Sequence, residues 1–176
     1  MLAGMKRLLL PLLVCASSSV LAAAPEFTYL GLPWGSSPAQ TTAYLKSRNW
    51  EEVKPRQPGS GVYRQRQGGE GSVWQLYTSY KAARLDRVVL ICEYDPLPLE
   101  SALALFHSER DALIQKLGKP VARRDSPQDI APGVGWNRPG GSLIFGISEA
   151  NGSALHWTYH APSRKAGDMA DFNQLR

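Results

Sequence analysis

Leu85-Asp86-Arg87-Val88-Val89-Leu90-Ile91-Cys92-Glu93-Tyr94 runs into Asp95-Pro96-Leu97-Pro98 and then into a helical pattern from Leu99 to Gly118 and Pro120, and the fold is read outward from this stretch. The first ten residues are rich in β-branched and aliphatic side chains, which suit a pleated, half-buried surface. Two prolines remove backbone donors and end the strand at a corner. Leu99, Ala102, Leu103, Phe106, Leu113 and Leu117 recur at helical spacing. Gly118 offers a left-handed stop, Pro120 forbids continuation, and Lys116 and Lys119 suit the negative end of the helix dipole. Arg110 falls inside the apolar stripe, where packing asks for a Leu. It reads either as a snorkelling residue paired with a carboxylate near Glu109 or Glu93, or as a ligand contact. Cys92 shares a strand face with Val88, Leu90 and Tyr94 and reads as a buried small apolar residue.

Toward the N-terminus, Val73 to Lys81 alternates, with Trp74, Leu76, Thr78 and Tyr80 on one face. Ala82-Ala83-Arg84 is a short link, which implies antiparallel neighbours. Val62 to Gln67 places Arg64 and Arg66 on one strand face, with Tyr63 and Gln65 opposite. This basic strip reads either as a binding surface for an acidic partner or as a solvated edge strand whose charges discourage aggregation. Gly68-Gly69-Glu70-Gly71 lacks the Lys and the following Ser or Thr of a phosphate loop and reads as a turn. Glu51 to Arg56 is a candidate short strand. Ser37, Pro38 and Gln40 form a capping box with proline at the first helical position, so a helix is predicted over 38–48. Asn49 is its left-handed terminator, with Trp50 folding back. Phe27 to Leu32 is predicted as a strand.

Toward the C-terminus, Val121 to Asp125 and Val134 to Asn137 are candidate strands. Ser142 to Ser148 points Leu143, Phe145 and Ile147 inward. Ser153 to Ala161 puts Leu155, Trp157 and Tyr159 on one side, after a hairpin turn at Asn151-Gly152. The fold class is α+β: a mostly antiparallel sheet with two helices packed on one face. The element order suggests a strand-helix-strands duplication, although the residues do not repeat.

Residues 1–22 read as an export signal: Lys6 and Arg7, an apolar run from Leu8 to Val14, then a small-residue site at Val20-Leu21-Ala22. The apolar run is too short to span a bilayer. A rival reading makes Cys15 a lipid-attachment cysteine, which would add a membrane tether. Residues 23–162 are expected to form one domain and 163–176 a polar tail. The formal net charge of +5 includes Lys6 and Arg7. The remaining basic residues are scattered, so no nucleic-acid partner is expected. The expected location is the periplasm or the exterior.

At Gly31-Leu32-Pro33-Trp34-Gly35-Ser36 and Leu117-Gly118-Lys119-Pro120 the chain resembles small exported proteins of Gram-negative bacteria that have no assigned role. Those open with a strand ending in a Gly-x-Pro-Trp-Gly turn and carry a later helix ending in Gly-x-Pro. The element order is also similar to the repeats of β-lactamase inhibitor proteins and of a small outer-membrane assembly lipoprotein. The resemblance implies a fold and no activity.

Reactive constellations are thin. His156 and His160 have the i, i+4 spacing of a helical zinc site, but on a strand four residues span roughly 13 Å, too far to share an ion. They read instead as the polar face of an edge or half-exposed strand. No Gly-x-Ser-x-Gly elbow occurs. Glu93 and Asp95 are the nearest carboxylate pair at a corner. No catalytic residue, metal or cofactor is expected. The expected function is a non-catalytic binding protein, such as an inhibitor, an immunity-type protein, a chaperone or an envelope adaptor. Its partner would be another envelope or periplasmic protein, and Arg64, Arg66 and Arg110 are the candidate binding residues. The alternatives are a small-ligand or lipid-binding domain with its cavity between sheet and helices, and a hydrolase using His107, His156 or His160 with a carboxylate.

Overall fold

A computed structural model describes residues 27–53, 59–66, 73–93, 98–124, 132–148, 154–163 and 166. The expected export signal, Cys15, the Asp95 corner, the turns at 68–71 and 151–152 and the tail beyond 166 lie outside these residues.

The chain forms α1 (Pro38–Lys46), β1 (Glu51–Glu52), β2 (Ser60–Arg66), β3 (Val73–Lys81), β4 (Arg84–Glu93), α2 (Leu99–Leu117), β5 (Ala122–Arg124), β6 (Gly133–Arg138), β7 (Gly141–Ser148) and β8 (Ala154–His160). The strands make one eight-stranded antiparallel sheet in the order β1-β2-β3-β4-β8-β7-β6-β5. The α+β class and the single-sided helix layer are as the sequence predicts. The register carries one apolar set across the sheet: Tyr63, Leu76, Leu90, Trp157, Phe145 and Val134. Leu45 and Trp50 pack on the β2–β4 part of this face, and Ala102 and Phe106 of α2 on the β6–β8 part. Trp157 and Tyr159 border both clusters.

Each half is a helix followed by a four-strand meander, and the two meanders meet at β4 and β8. The strand order therefore reads inward from both edges in the same sequence. This supports the suggested duplication but shifts its frame. The strand at Leu85 closes the first half; it does not open a strand-helix unit of the second.

Local chemistry explains the boundaries. Ser37 Oγ accepts from the Gln40 amide at 3.3 Å and Gln40 Oε1 accepts from the Ser37 amide at 2.8 Å, which completes the capping box. Asn49 stands at φ 62° and the Trp50 amide donates back to Leu45 O, so α1 stops and turns into β1. Gly118 ends α2 at φ 74°, and Trp136 Nε1 donates to its carbonyl at 2.7 Å, which pins the helix end to β6.

The strand predicted at Phe27 to Leu32 does not form. Residues 29–31 make a short 3-10 turn, with Leu30 at φ 52°. The rings go elsewhere: Phe27 and Tyr29 lie 6.0 and 5.8 Å from Tyr159, and Tyr29 lies 6.3 Å from Trp50. They plug the seam between the two packed clusters, an arrangement that alternation alone cannot distinguish from a strand. The following Pro-Trp-Gly turn joins the halves. Gly35 and Ser36 exchange backbone hydrogen bonds with Leu85, and Trp34 Nε1 donates to Gly140 O at 2.8 Å.

The β3–β4 link is a two-residue turn with both alanines left-handed, Ala82 at φ 49° and Ala83 at φ 59°. Such turns favour Asn-Gly, because a Cβ strains this backbone region. Replacing Ala82 by Asn and Ala83 by Gly should raise stability by about 1 kcal/mol. Urea titration should show a higher midpoint at unchanged slope. An unchanged or lower midpoint would contradict the strain.

Candidate interaction site

Arg64 sits on β2, on the face away from the helices, directly opposite Glu51 of β1 and Gln75 of β3. The sharp exit of α1 brings Asn49 and Glu51 beside it. The result is an open hollow of about 450 Å³ lined by Asn49, Glu51, Val53, Arg64 and Gln65. Gln65 Nε2 donates to Arg48 O at 3.0 Å, tying the strand to the end of the helix. The Arg48 guanidinium lies 3.6 Å from the Tyr44 ring centroid and makes a cation–π contact there. Glu51 and Arg64 are exposed, and Val53 is 41% exposed. The hollow thus presents one acid, one base, two amides and an apolar lip at the outer corner of the sheet. That set suits an extended polar chain or a charged side chain of another protein.

Register places Arg66 opposite Val73 and on the same face as Arg64, as the alternation predicts. Its side chain lies outside the described part. β2 is not the edge strand that the solvated reading assumed, because β1 covers its outer side at Tyr63 and Arg64. Arg110 is elsewhere. It lies on the helix-bearing face, with its side chain 16% exposed, and both Nε and Nη2 reach Asp111 Oδ1 at 2.8 Å. That carboxylate is the next residue along the helix, in the neighbourhood of Glu109, as the snorkelling reading expected. The sheet separates Arg110 from Arg64, so the three arginines do not form one site.

The histidines correct the sequence reading most. β8 is a central strand, between β4 and β7. His156 and His160 face away from the helices yet are 2% and 1% exposed, so they are not the polar face of an edge strand. His156 lies opposite Ile91 and Gly146, and His160 opposite Arg87 and Ser142. A Cβ at Gly146 would stand 3.0 Å from His156 Cε1 and 2.9 Å from Pro132 O, so the glycine makes room for the ring. Burial pushes the His156 imidazole down to about 4, which keeps it neutral at ordinary pH. His107 is exposed on α2, its ring edge-on to Phe106 at 5.4 Å. Among the described residues, no group of three or more His, Cys, Asp or Glu is placed to hold a metal.

On the helix-bearing face the tyrosines are packing residues. Burial pushes Tyr29 and Tyr159 up to about 12, with the charge of the other tyrosine adding to the effect on Tyr29 and that of Glu109 adding to the effect on Tyr159. Both keep their protons at neutral pH and neither serves as a base. Cys92 is fully buried, as expected.

Asn49, Glu51, Val53 and Gln65 joined the site without being singled out as binding residues. Asn49 followed at once by Trp50 and Glu51 was the available signal. A helix stop with no linker after it forces the next strand to begin beside the helix end. No helix among the described residues is long and apolar enough to cross a membrane. No family model matches the chain, and no curated protein or solved structure matches it.

Proposed function

We propose that this chain is an exported, non-catalytic binding protein that docks another envelope protein at the outer corner of its sheet. The observation that carries the reading is the hollow where exposed Glu51 and Arg64 lie opposite each other beside the exposed Val53. Charged rims of this kind set partner choice and encounter rate more than raw affinity.

Pull-down from a periplasmic extract with the mature chain should recover one stoichiometric protein. Arg64→Glu should cut that recovery about tenfold, while Lys116→Glu on the far helix should leave it unchanged. Equal recovery with Arg64→Glu, or no specific protein at any salt concentration, would overturn the reading.

A further inference from the structure

The sheet face away from the helices is sealed in one half and open in the other. One row crosses it from β2 to β6: Val62, Tyr77, Val89, Thr158, Ile144 and Gly135. In the second half the chain itself lies over this row. Thr158 and Ile144 are 4% and 1% exposed, and a Cβ at Gly135 would stand 3.0 Å from the Ala166 Cβ. In the first half Val62 and Tyr77 are only half-buried, so the same row meets solvent.

The end of this open half is basic. Lys81 and Arg84 lie directly opposite each other where β3 turns into β4, and both are exposed. The adjoining pair, Tyr80 and Leu85, packs in the helix-bearing cluster, so Lys81 and Arg84 belong to the outer face. Arg87 shares that face opposite Ser79, and its Nη2 donates to the Ser79 hydroxyl at 3.3 Å. Asp86, in the bulge, is the neighbouring acid and has an interaction of its own. Ala82 and Ala83 are exposed and short, so the two cations are the longest groups at the tip. Like charges placed directly opposite on a sheet are unfavourable. The Lys81–Arg84 pair therefore destabilises the isolated fold, and an anion set against it would offset that repulsion. Such a pair protects an edge no better than one charge would, whereas it doubles the attraction for an anionic surface.

We propose that the outer face of the first meander lies against an anionic lipid surface, with the β3–β4 hairpin tip as its charged contact. Lys81, Arg84 and Arg87 meet the headgroups, where each cation adds to the attraction. Tyr77 lies four residues from Lys81 along β3, roughly 13 Å, and the row of Val62, Tyr77 and Val89 faces the same way. A bilayer offers charge at its surface and hydrocarbon just beneath, and long basic side chains bridge the two layers. The inference does not rest on partner docking at the hollow, whose residues it does not use.

Cosedimentation of the mature chain with lipid vesicles is the test. Phosphatidylcholine vesicles carrying about one-third phosphatidylglycerol should bind the chain at low salt, pure phosphatidylcholine vesicles should bind it at least tenfold less, and high salt should release it. Lys81→Glu should cut binding about tenfold. The same substitution places an acid opposite Arg84, so its urea midpoint should be unchanged or higher, and the loss of binding cannot be attributed to unfolding. Lys116→Glu changes the net charge equally on the helix-bearing side and should leave vesicle binding intact. If the reversal disturbs the hairpin, the neutral Lys81→Gln should still lose about threefold. Absence of binding to the anionic vesicles, equal binding to both vesicle types, or equal losses with Lys81→Glu and Lys116→Glu would overturn the proposal. Retention on immobilised poly-glutamate without vesicle binding would also overturn it, and would assign the face to an acidic protein. Lys81→Glu should leave capture of an envelope partner unchanged, which separates failure of this inference from failure of the proposed function.

Discussion

Taking the folded protein from pH 7 to pH 4 should cost about 3 kcal/mol through His156 alone. The imidazole is 2% exposed, neither ring nitrogen has a hydrogen-bond partner among the described residues, and burial lowers its pKa from 6.5 to about 4. Between those two values the unfolded chain binds a proton that the folded chain refuses. Stability is therefore full above about pH 6.5, falls as the pH drops toward 4, and loses nothing further from this group below that. On the strands beside it, Ile91 and Gly146 bring no charge to offset protonation. Urea midpoints at pH 7, 5.5 and 4 should fall more steeply for the native chain than for His156→Leu. At neutral pH the variant should be as stable or more so, since it removes two buried polar atoms that lack partners among the described residues. Parallel pH profiles for the two proteins would refute the assignment.

The second large effect is expected at Phe145. Its ring is 0% exposed, stacked on Phe106 at 5.1 Å and 12°, and tilted against Trp157 at 5.1 Å and 33°. Trp157 continues the ladder to Trp74 at 5.7 Å. Phe145→Ala removes the ring that couples α2 to the sheet and should destabilise by about 3–5 kcal/mol. That is a large share of the 5–15 kcal/mol typical of a domain. Calorimetry or urea unfolding would measure the loss, and hydrogen exchange should show α2 deprotected first. A loss below about 1.5 kcal/mol would mean the neighbouring rings close the gap.

How much of this was legible depended on whether the information was local. The capping box, Asn49, Gly118 and the alternation of β3, β7 and β8 are statements about neighbours in sequence, and the structure agrees with each. Strand order is not local. The alternation of His156, Thr158 and His160 correctly gave a face, but only the pairing of β8 between β4 and β7 shows that this face is buried. Phe27 to Leu32 misled for the opposite reason. Its aromatic residues have strand propensity, and tertiary ring contacts with Trp50 and Tyr159 took precedence. Of the candidate site, Arg64 was legible because alternation sets it on one strand face with Arg66, opposite Tyr63 and Gln65. The residues around it were not, because α1 delivers them across a turn.

The inward-reading strand order also decides when the sheet can be finished. β4 ends at Glu93, and its partner β8 begins only at Ala154. A chain emerging from the ribosome N-terminus first can complete the first meander early, but that meander then waits with a bare, Val- and Leu-rich edge until the last strand has been made. Closure of such distant segments is slow, and an open apolar edge is where nascent chains pair with the wrong neighbour. The strand that completes the fold is thus the one synthesised last, and a chain cut short before residue 154 lacks the strand that joins its two halves.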